Sequence, residues 1–185
     1  VYDPHPAVRA FAAGALGEFG STDGIAPLTH ALSDENPRVR SVAASSLGRL
    51  GDSETRSIVQ PLLRDPDEHV RISAVEALLR LGDASAVLNA ADLARHPDPS
   101  VRGGAAHALA AATTPNALAV LESLLRDQQP LPRLMAARAL GKLRQKSLVS
   151  PLKTGLQDSD PAVRITSAGS LIHVLSQKDK QGSAR

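Results

Sequence analysis

Arginine recurs in this chain at a spacing that invites a chemical role. Arg9, Arg40, Arg71, Arg102, Arg133 and Arg164 stand 31 residues apart, a run that chance alone would give about once in 10⁵ trials. A guanidinium fork takes a carboxylate or a phosphate through two parallel hydrogen bonds, so the column could grip an anionic ligand or brace the protein itself. A second set of charges does not recur in kind: Arg49, Glu76, Arg80, His107, Arg138 and Lys142. Nothing else reads as catalytic. The six histidines are scattered over four of the 31-residue units, His5 with His30 and His96 with His107 sharing one each, so no spacing marks a metal site, and neither a metal nor a cofactor is expected. A phosphate-binding loop, a nucleophile elbow and a His-Glu-x-x-His helix are all missing. No catalytic residue is assigned.

Composition narrows the classes. The chain has 185 residues, a formal charge of +2, no cysteine and 2% aromatics. That charge is too small for a nucleic-acid partner, which calls for clustered excess Lys and Arg. Without Trp and with so few rings, base stacking fails as well. Disulfides and thiolate metal sites are excluded. No apolar run reaches the ~20 residues of a membrane span. The expectation is a soluble, cytoplasmic chain with a core of Ala, Leu, Val and Ile in thin layers of closely packed helices.

The elements that would position these charges repeat with the arginines. Six residues before each Arg come Asp3, Asp34, Asp65, His96, Asp127 and Asp158. One before it come Val8, Val39, Val70, Val101, Pro132 and Val163, and seven after it Leu16, Leu47, Leu78, Leu109, Leu140 and Leu171. Pro37 fits a first helical turn, and Val39, Ala43, Ser46, Leu47 and Leu50 follow at helical spacing. Gly20, Gly51 and Gly82 fit left-handed caps. A shorter helix separates each of these, as at 25–32, 58–63, 87–94, 118–125 and 149–156. The order is B-A-B-A, eleven helices with short loops, where B denotes the arginine-bearing helices and A the intervening ones. A small-residue column, Ala13, Ala44, Val75, Ala106, Ala137 and Ala168, lets B helices approach closely.

The pattern Asp–x5–Arg, with Val before the Arg and then Ala and Leu-Gly, resembles the HEAT repeat. At 31 residues the unit is similar to the short HEAT-like repeats of the phycobilin-lyase type. The resemblance spans about residues 3–175. It implies an all-α fold, an α-solenoid: a right-handed superhelix of about 5.5 stacked antiparallel helix pairs, with units beginning near 3, 34, 65, 96, 127 and 158. It also implies that Asp34, Arg40, Asp65, Arg71, Arg102, Asp127, Arg133, Asp158 and Arg164 form a structural ladder along the stack. His96 and Pro132 depart from that ladder, and Gly103, Gly104 and Thr113-Thr114-Pro115 weaken the same stretch, so a soft region is expected near 96–115. The polar tail 176–185 reads as disordered.

The family's default binding surface is the concave face of the B helices. Here that face is expected to carry Arg49, Ile72, Glu76, Arg80, His107, Leu134, Arg138, Lys142 and Ile165, a mixed apolar and charged groove. The expected function is a non-catalytic scaffold for a protein partner. The alternative is a phycobilin-lyase-like subunit or chaperone holding a tetrapyrrole or its acceptor protein, with Arg80, Arg138 and Lys142 on the propionates. Di-iron hydroxylases of this architecture carry His-Glu pairs just after the Arg position. The corresponding slots here read Ser41-Val42, Ile72-Ser73, Gly103-Gly104, Leu134-Met135 and Ile165-Thr166, so that chemistry is not expected. The first B helix lacks an A partner, and with Val1, Tyr2 and Phe11 it is a candidate for packing on a further repeat or a second copy.

Overall fold

The computed structural model describes residues 1–176. All of the tail except Ser176 therefore lies outside the described residues. Eleven α-helices and no strand occur among the described residues, in two compact units. The first unit, Val1–Arg95, holds α1 (Pro6–Phe19), α2 (Ile25–Ala31), α3 (Pro37–Leu50), α4 (Arg56–Val59), α5 (Glu68–Arg80) and α6 (Ala86–Leu93). The second, from His96 onward, holds α7 (Pro99–Leu109), α8 (Pro115–Leu124), α9 (Pro130–Leu143), α10 (Val149–Thr154) and α11 (Pro161–Leu175). The boundary between them falls at His96, where the Asp column is interrupted.

The odd-numbered B helices begin and end for local reasons. Pro6, Pro37, Pro99, Pro130 and Pro161 open α1, α3, α7, α9 and α11, where a missing N–H costs nothing. Just before them Asn36, Asp98 and Asp160 accept from helix N–H groups, as Asp67 does before α5, which satisfies donors the helix cannot. Gly20, Gly51 and Gly82 follow α1, α3 and α5 at φ of 75°, 75° and 85°. Arg144 holds the same left-handed position after α9 at φ 53°, a conformation that favours glycine.

The even-numbered A helices are shorter and less regular than the periodicity predicts. α4 gives way to a 3-10 turn over Gln60–Arg64, and α10 to one over Gly155–Gln157. Pro61 has no N–H to continue the α-helical ladder. Stability therefore rests on the B layer. In the first unit α3 packs on both α1 and α5, and in the second α9 packs on both α7 and α11, while the A helices pack chiefly on B helices. Leu47, Leu78, Leu109 and Leu140 are wholly buried between the layers, as are Ala13, Ala44, Val75, Ala106 and Ala137.

The tightest approach between B helices is made by glycine. A Cβ added to Gly17 would lie 2.6 Å from Ser46 Cβ, one on Gly48 2.6 Å from Ala77 Cα, and one on Gly141 2.5 Å from Ser170 Cβ. In each case the small partner lies 29 residues further along the chain, on the next B helix.

Candidate functional site

Four of the six recurring arginines are occupied along the stack. Arg40 donates from Nε to Asp65 Oδ2 and from Nη2 to Asp65 Oδ1, both at 2.8 Å. Arg9 and Asp34, Arg102 and Asp127, and Arg133 and Asp158 make the same bidentate pair at 2.7–2.8 Å. The third guanidinium arm reaches backward: Arg40 Nη1 donates to the carbonyls of Asp34 and Glu35 at 2.8 and 3.1 Å. Each aspartate also closes its own turn, as when Asp65 Oδ1 accepts the N–H of Asp67 at 3.0 Å. One Arg–Asp pair thus fixes two turns and two rungs. Arg71 and Arg164 bracket their own turns in the same way, Arg71 through the carbonyls of Asp65 and Pro66, Arg164 through those of Asp158 and Ser159.

These bonds move the carboxylates' titration. The Arg9, Arg102 and Arg133 guanidiniums hold Asp34, Asp127 and Asp158 below the ordinary value of 3.8. At Asp65 burial pushes upward, and the hydrogen bonds from Arg40 and the Asp67 N–H outweigh it, so its carboxyl is lowered too. A carboxylate depressed in the folded state contributes stability above its unfolded pKa and loses it as pH falls through the folded pKa. The unfolding midpoint is therefore expected to be flat from about pH 7 to pH 5 and to drop steeply below about pH 4. Thermal melts across that range check this.

Of the apolar residues expected on the groove, Ile72 and Leu134 are largely covered, whereas Ile165 on α11 is 74% exposed. Ile72, Leu134 and Ile165 share a column with Ser41 and Gly103, and within each unit Ser41 and Gly103 face the following rung. Ser41 Oγ meets Ser73 Oγ at 2.8 Å between α3 and α5, and a Cβ on Gly103 would touch Leu131 and Met135 of α9 at 3.4 Å. Ile72 is accordingly 9% exposed and Leu134 half-buried. The reason is geometric. A B helix in the middle of a stack is covered on two flanks, so the residue beside a ladder arginine points along the stack with it.

The charged candidates separate by partner. On α5, Arg80 donates to Glu76 Oε1 at 3.0–3.1 Å, which neutralises both. Arg49 of α3 donates to Ser46 Oγ at 2.7 Å. His107 of α7 is half-buried. Arg138 and Lys142 are different: both are exposed, one helical turn apart on α9, and no carboxylate among the described residues pairs with either. They line an open groove of about 470 Å³ together with Gly141, Arg144, Thr166, Gly169, Ser170 and His173. Gly169 leaves open space where a side chain would fill the α11 wall. Arg138, Lys142 and Arg144 carry positive charge, His173 lies beside them, and no acidic residue lines the groove. An anion of extended shape fits such a wall.

Arg144, Thr166 and Gly169 were not singled out from sequence as parts of a site. Only the left-handed turn after α9 brings Arg144 beside Lys142. Among the described residues no group of three His, Cys, Asp or Glu side chains converges as metal ligands would, and no helix is long and apolar enough to cross a membrane.

Paired helices stacked through an Arg–Asp ladder define an α-helical repeat protein. The model of the HEAT repeats matches residues 1–78, 55–133 and 123–181, and the chain belongs to that family. No curated protein matches the sequence. Among solved structures, the chain is similar to the complex of CpcE and CpcF of phycocyanin lyase from Nostoc sp. PCC7120. The identity is 22% and the TM-score 0.66, over 94% of this chain and 73% of that one. It is similar to a designed armadillo repeat protein in complex with the peptide (KR)4, at 18% identity and TM-score 0.54, over 88% and 91% of the two chains. Human deoxyhypusine hydroxylase matches at 19% identity and TM-score 0.50, over 94% and 81%. Enzymes and peptide binders thus share this fold.

Proposed function

We propose that this chain is a non-catalytic protein-binding scaffold whose α9–α11 groove receives an acidic segment of a partner protein. The observation that carries the reading is the groove itself, with Arg138, Lys142, Arg144 and His173 on its walls and no acidic residue among them. The designed repeat protein bound to (KR)4 supports the mode, since a solenoid of this kind can hold a charged peptide. In the present chain the groove's charge is positive, so the complementary peptide is acidic.

Binding hot spots favour Trp, Tyr and Arg, and the groove offers only Arg. Its affinity then rests on charge and weakens as salt shortens the Debye length. Anisotropy of a fluorescent Glu-rich peptide tests this. Wild-type protein is expected to bind, and Arg138→Glu with Lys142→Glu to bind at least about tenfold more weakly. Equal affinity for both proteins would remove the groove from the account.

The same walls suit the propionates of a tetrapyrrole, the phycobilin-lyase-like alternative. Titration of a bilin, followed by absorbance, separates the two readings. A spectral change lost in the double variant would favour the tetrapyrrole, whereas an unchanged bilin spectrum favours the protein scaffold.

A further inference from the structure

The space between α9 and α11 has a counterpart four 31-residue repeats earlier, between α1 and α3. The same contacts frame both. Gly17 closes on Ser46 there as Gly141 closes on Ser170 here, and the Arg9–Asp34 pair matches Arg133–Asp158. The residues filling the two frames differ. In the earlier one the lining positions are held by Gly14, Glu18, Gly20, Val42 and Arg49, whose formal charges cancel. Val42 Cγ1 lies 3.6 Å from a Cβ placed on Gly14, an ordinary apolar contact.

In the later frame Arg138, Lys142 and Arg144 stand for Gly14, Glu18 and Gly20, and Thr166 and His173 stand for Val42 and Arg49. Two glycines and a glutamate have become cations, and an apolar wall has gained a hydroxyl. Stacking does not call for these exchanges, because α1 and α3 pack on each other without them.

Ser170 adds an independent observation. On α3 the equivalent Ser46 Oγ is fully used: it donates to the Ala13 carbonyl at 2.9 Å and accepts from Arg49 Nη2 at 2.7 Å. Ser170 is only 7% exposed, yet its hydroxyl has no hydrogen-bond partner among the described residues. Buried hydroxyls ordinarily find one. This one lines the groove, where a ligand would supply it.

The groove therefore offers an anion three positive side chains and the hydroxyls of Thr166 and Ser170. A carboxylate has one charge and two oxygens in a plane, and a single guanidinium satisfies it, as Arg40 satisfies Asp65. A phosphoryl group carries about −1.5 to −2 charges and three acceptor oxygens, which matches the larger set. We infer that the acidic partner segment seats a phosphorylated side chain among Arg138, Lys142, Arg144 and Ser170. This deepens the acidic-partner reading and rests on it. The cations form one cluster, and the chain's formal charge is only +2, so a single phosphate suits the site better than a polynucleotide backbone.

Anisotropy of two fluorescent Glu-rich peptides tests the inference, one carrying a single phosphoserine and the other two glutamates in its place, so that charge is matched. The wild-type full chain is expected to bind the phosphopeptide at least about tenfold more tightly. Ser170→Ala and Thr166→Val are each expected to weaken the phosphopeptide about three- to tenfold and to leave the two-glutamate peptide within about twofold. Both variants fold, since the first removes a hydroxyl without a partner and the second installs the residue that α3 carries at this place. Equal wild-type affinity for the two peptides, or phosphopeptide binding unmoved in both variants, would overturn the inference and leave the acidic-partner reading standing. Failure of the wild type to bind either peptide would overturn both. A fluorescent oligothymidylate bound as tightly as the phosphopeptide would assign the cluster to nucleic acid and overturn the inference as well.

Discussion

Asp65→Asn is expected to lower the free energy of unfolding by about 3 kcal/mol, far more than a surface substitution. The carboxylate accepts both arms of the Arg40 fork, and the two side chains are only 9% and 13% exposed. Asn keeps the oxygen that closes the turn onto the Asp67 N–H, so the change isolates the contact between rungs. Its NH₂ would face one guanidinium arm, donor against donor, and would leave a half-buried charge without its counterion. Exposed ion pairs are worth well under ~1 kcal/mol, so the size of the loss discriminates. For a chain of this length it corresponds to a midpoint lower by roughly 6–12 °C, read by thermal or urea unfolding. Arg40→Lys, which keeps the charge and loses the fork, is expected to fall in the same direction. A loss below about 1 kcal/mol in both variants would mean that the ladder is ornamental to stability.

Gly48→Ala is expected to destabilise by about 2–3 kcal/mol, with the sign opposite to helix propensity. Inside an ordinary exposed helix the same change would stabilise by about 1 kcal/mol. Here the new Cβ would lie 2.6 Å from Ala77 Cα and 2.8 Å from Ala77 Cβ. The obstacle is backbone on the neighbouring helix, which no rotamer change relieves, so α3 and α5 must separate. Gly14→Ala provides the contrast on α1. Its Cβ would have Val42 Cγ1 as nearest neighbour at 3.6 Å, an ordinary contact, and this variant is expected to be neutral or slightly stabilising. Urea unfolding of the two proteins checks the opposite signs.

Much of this fold is legible in the sequence because a solenoid repeats its solutions. The proline openings, the glycine caps at 20, 51 and 82 and the leucine column are all visible at a 31-residue shift, and the structure places them as that shift predicts. What escaped detection is what the shift does not show. The close contacts of Gly17, Gly48 and Gly141 pair residues 29 apart, and the column itself is broken by Leu79 and Ala110. Pro61 shortens an A helix in one unit only. The groove depends on Arg144 taking a left-handed turn where three earlier repeats have glycine. The helical wheel also placed Ile72 and Leu134 on an open face, since it knows nothing of the second flank that a stacked helix must cover.

On the proposed function, residues that repeat build the stack and residues that do not repeat are the ones expected to bind. Thermal unfolding with and without an acidic peptide tests that division, because a ligand raises the midpoint only of a protein that binds it. Asp127→Asn is expected to lower the baseline midpoint by several degrees and to keep the full peptide-induced rise. Arg138→Glu is expected to keep the wild-type baseline and to lose the rise. If Asp127→Asn abolishes the peptide's effect while still folded, or Arg138→Glu costs as much stability as the ladder variant, the division between building and binding residues is wrong.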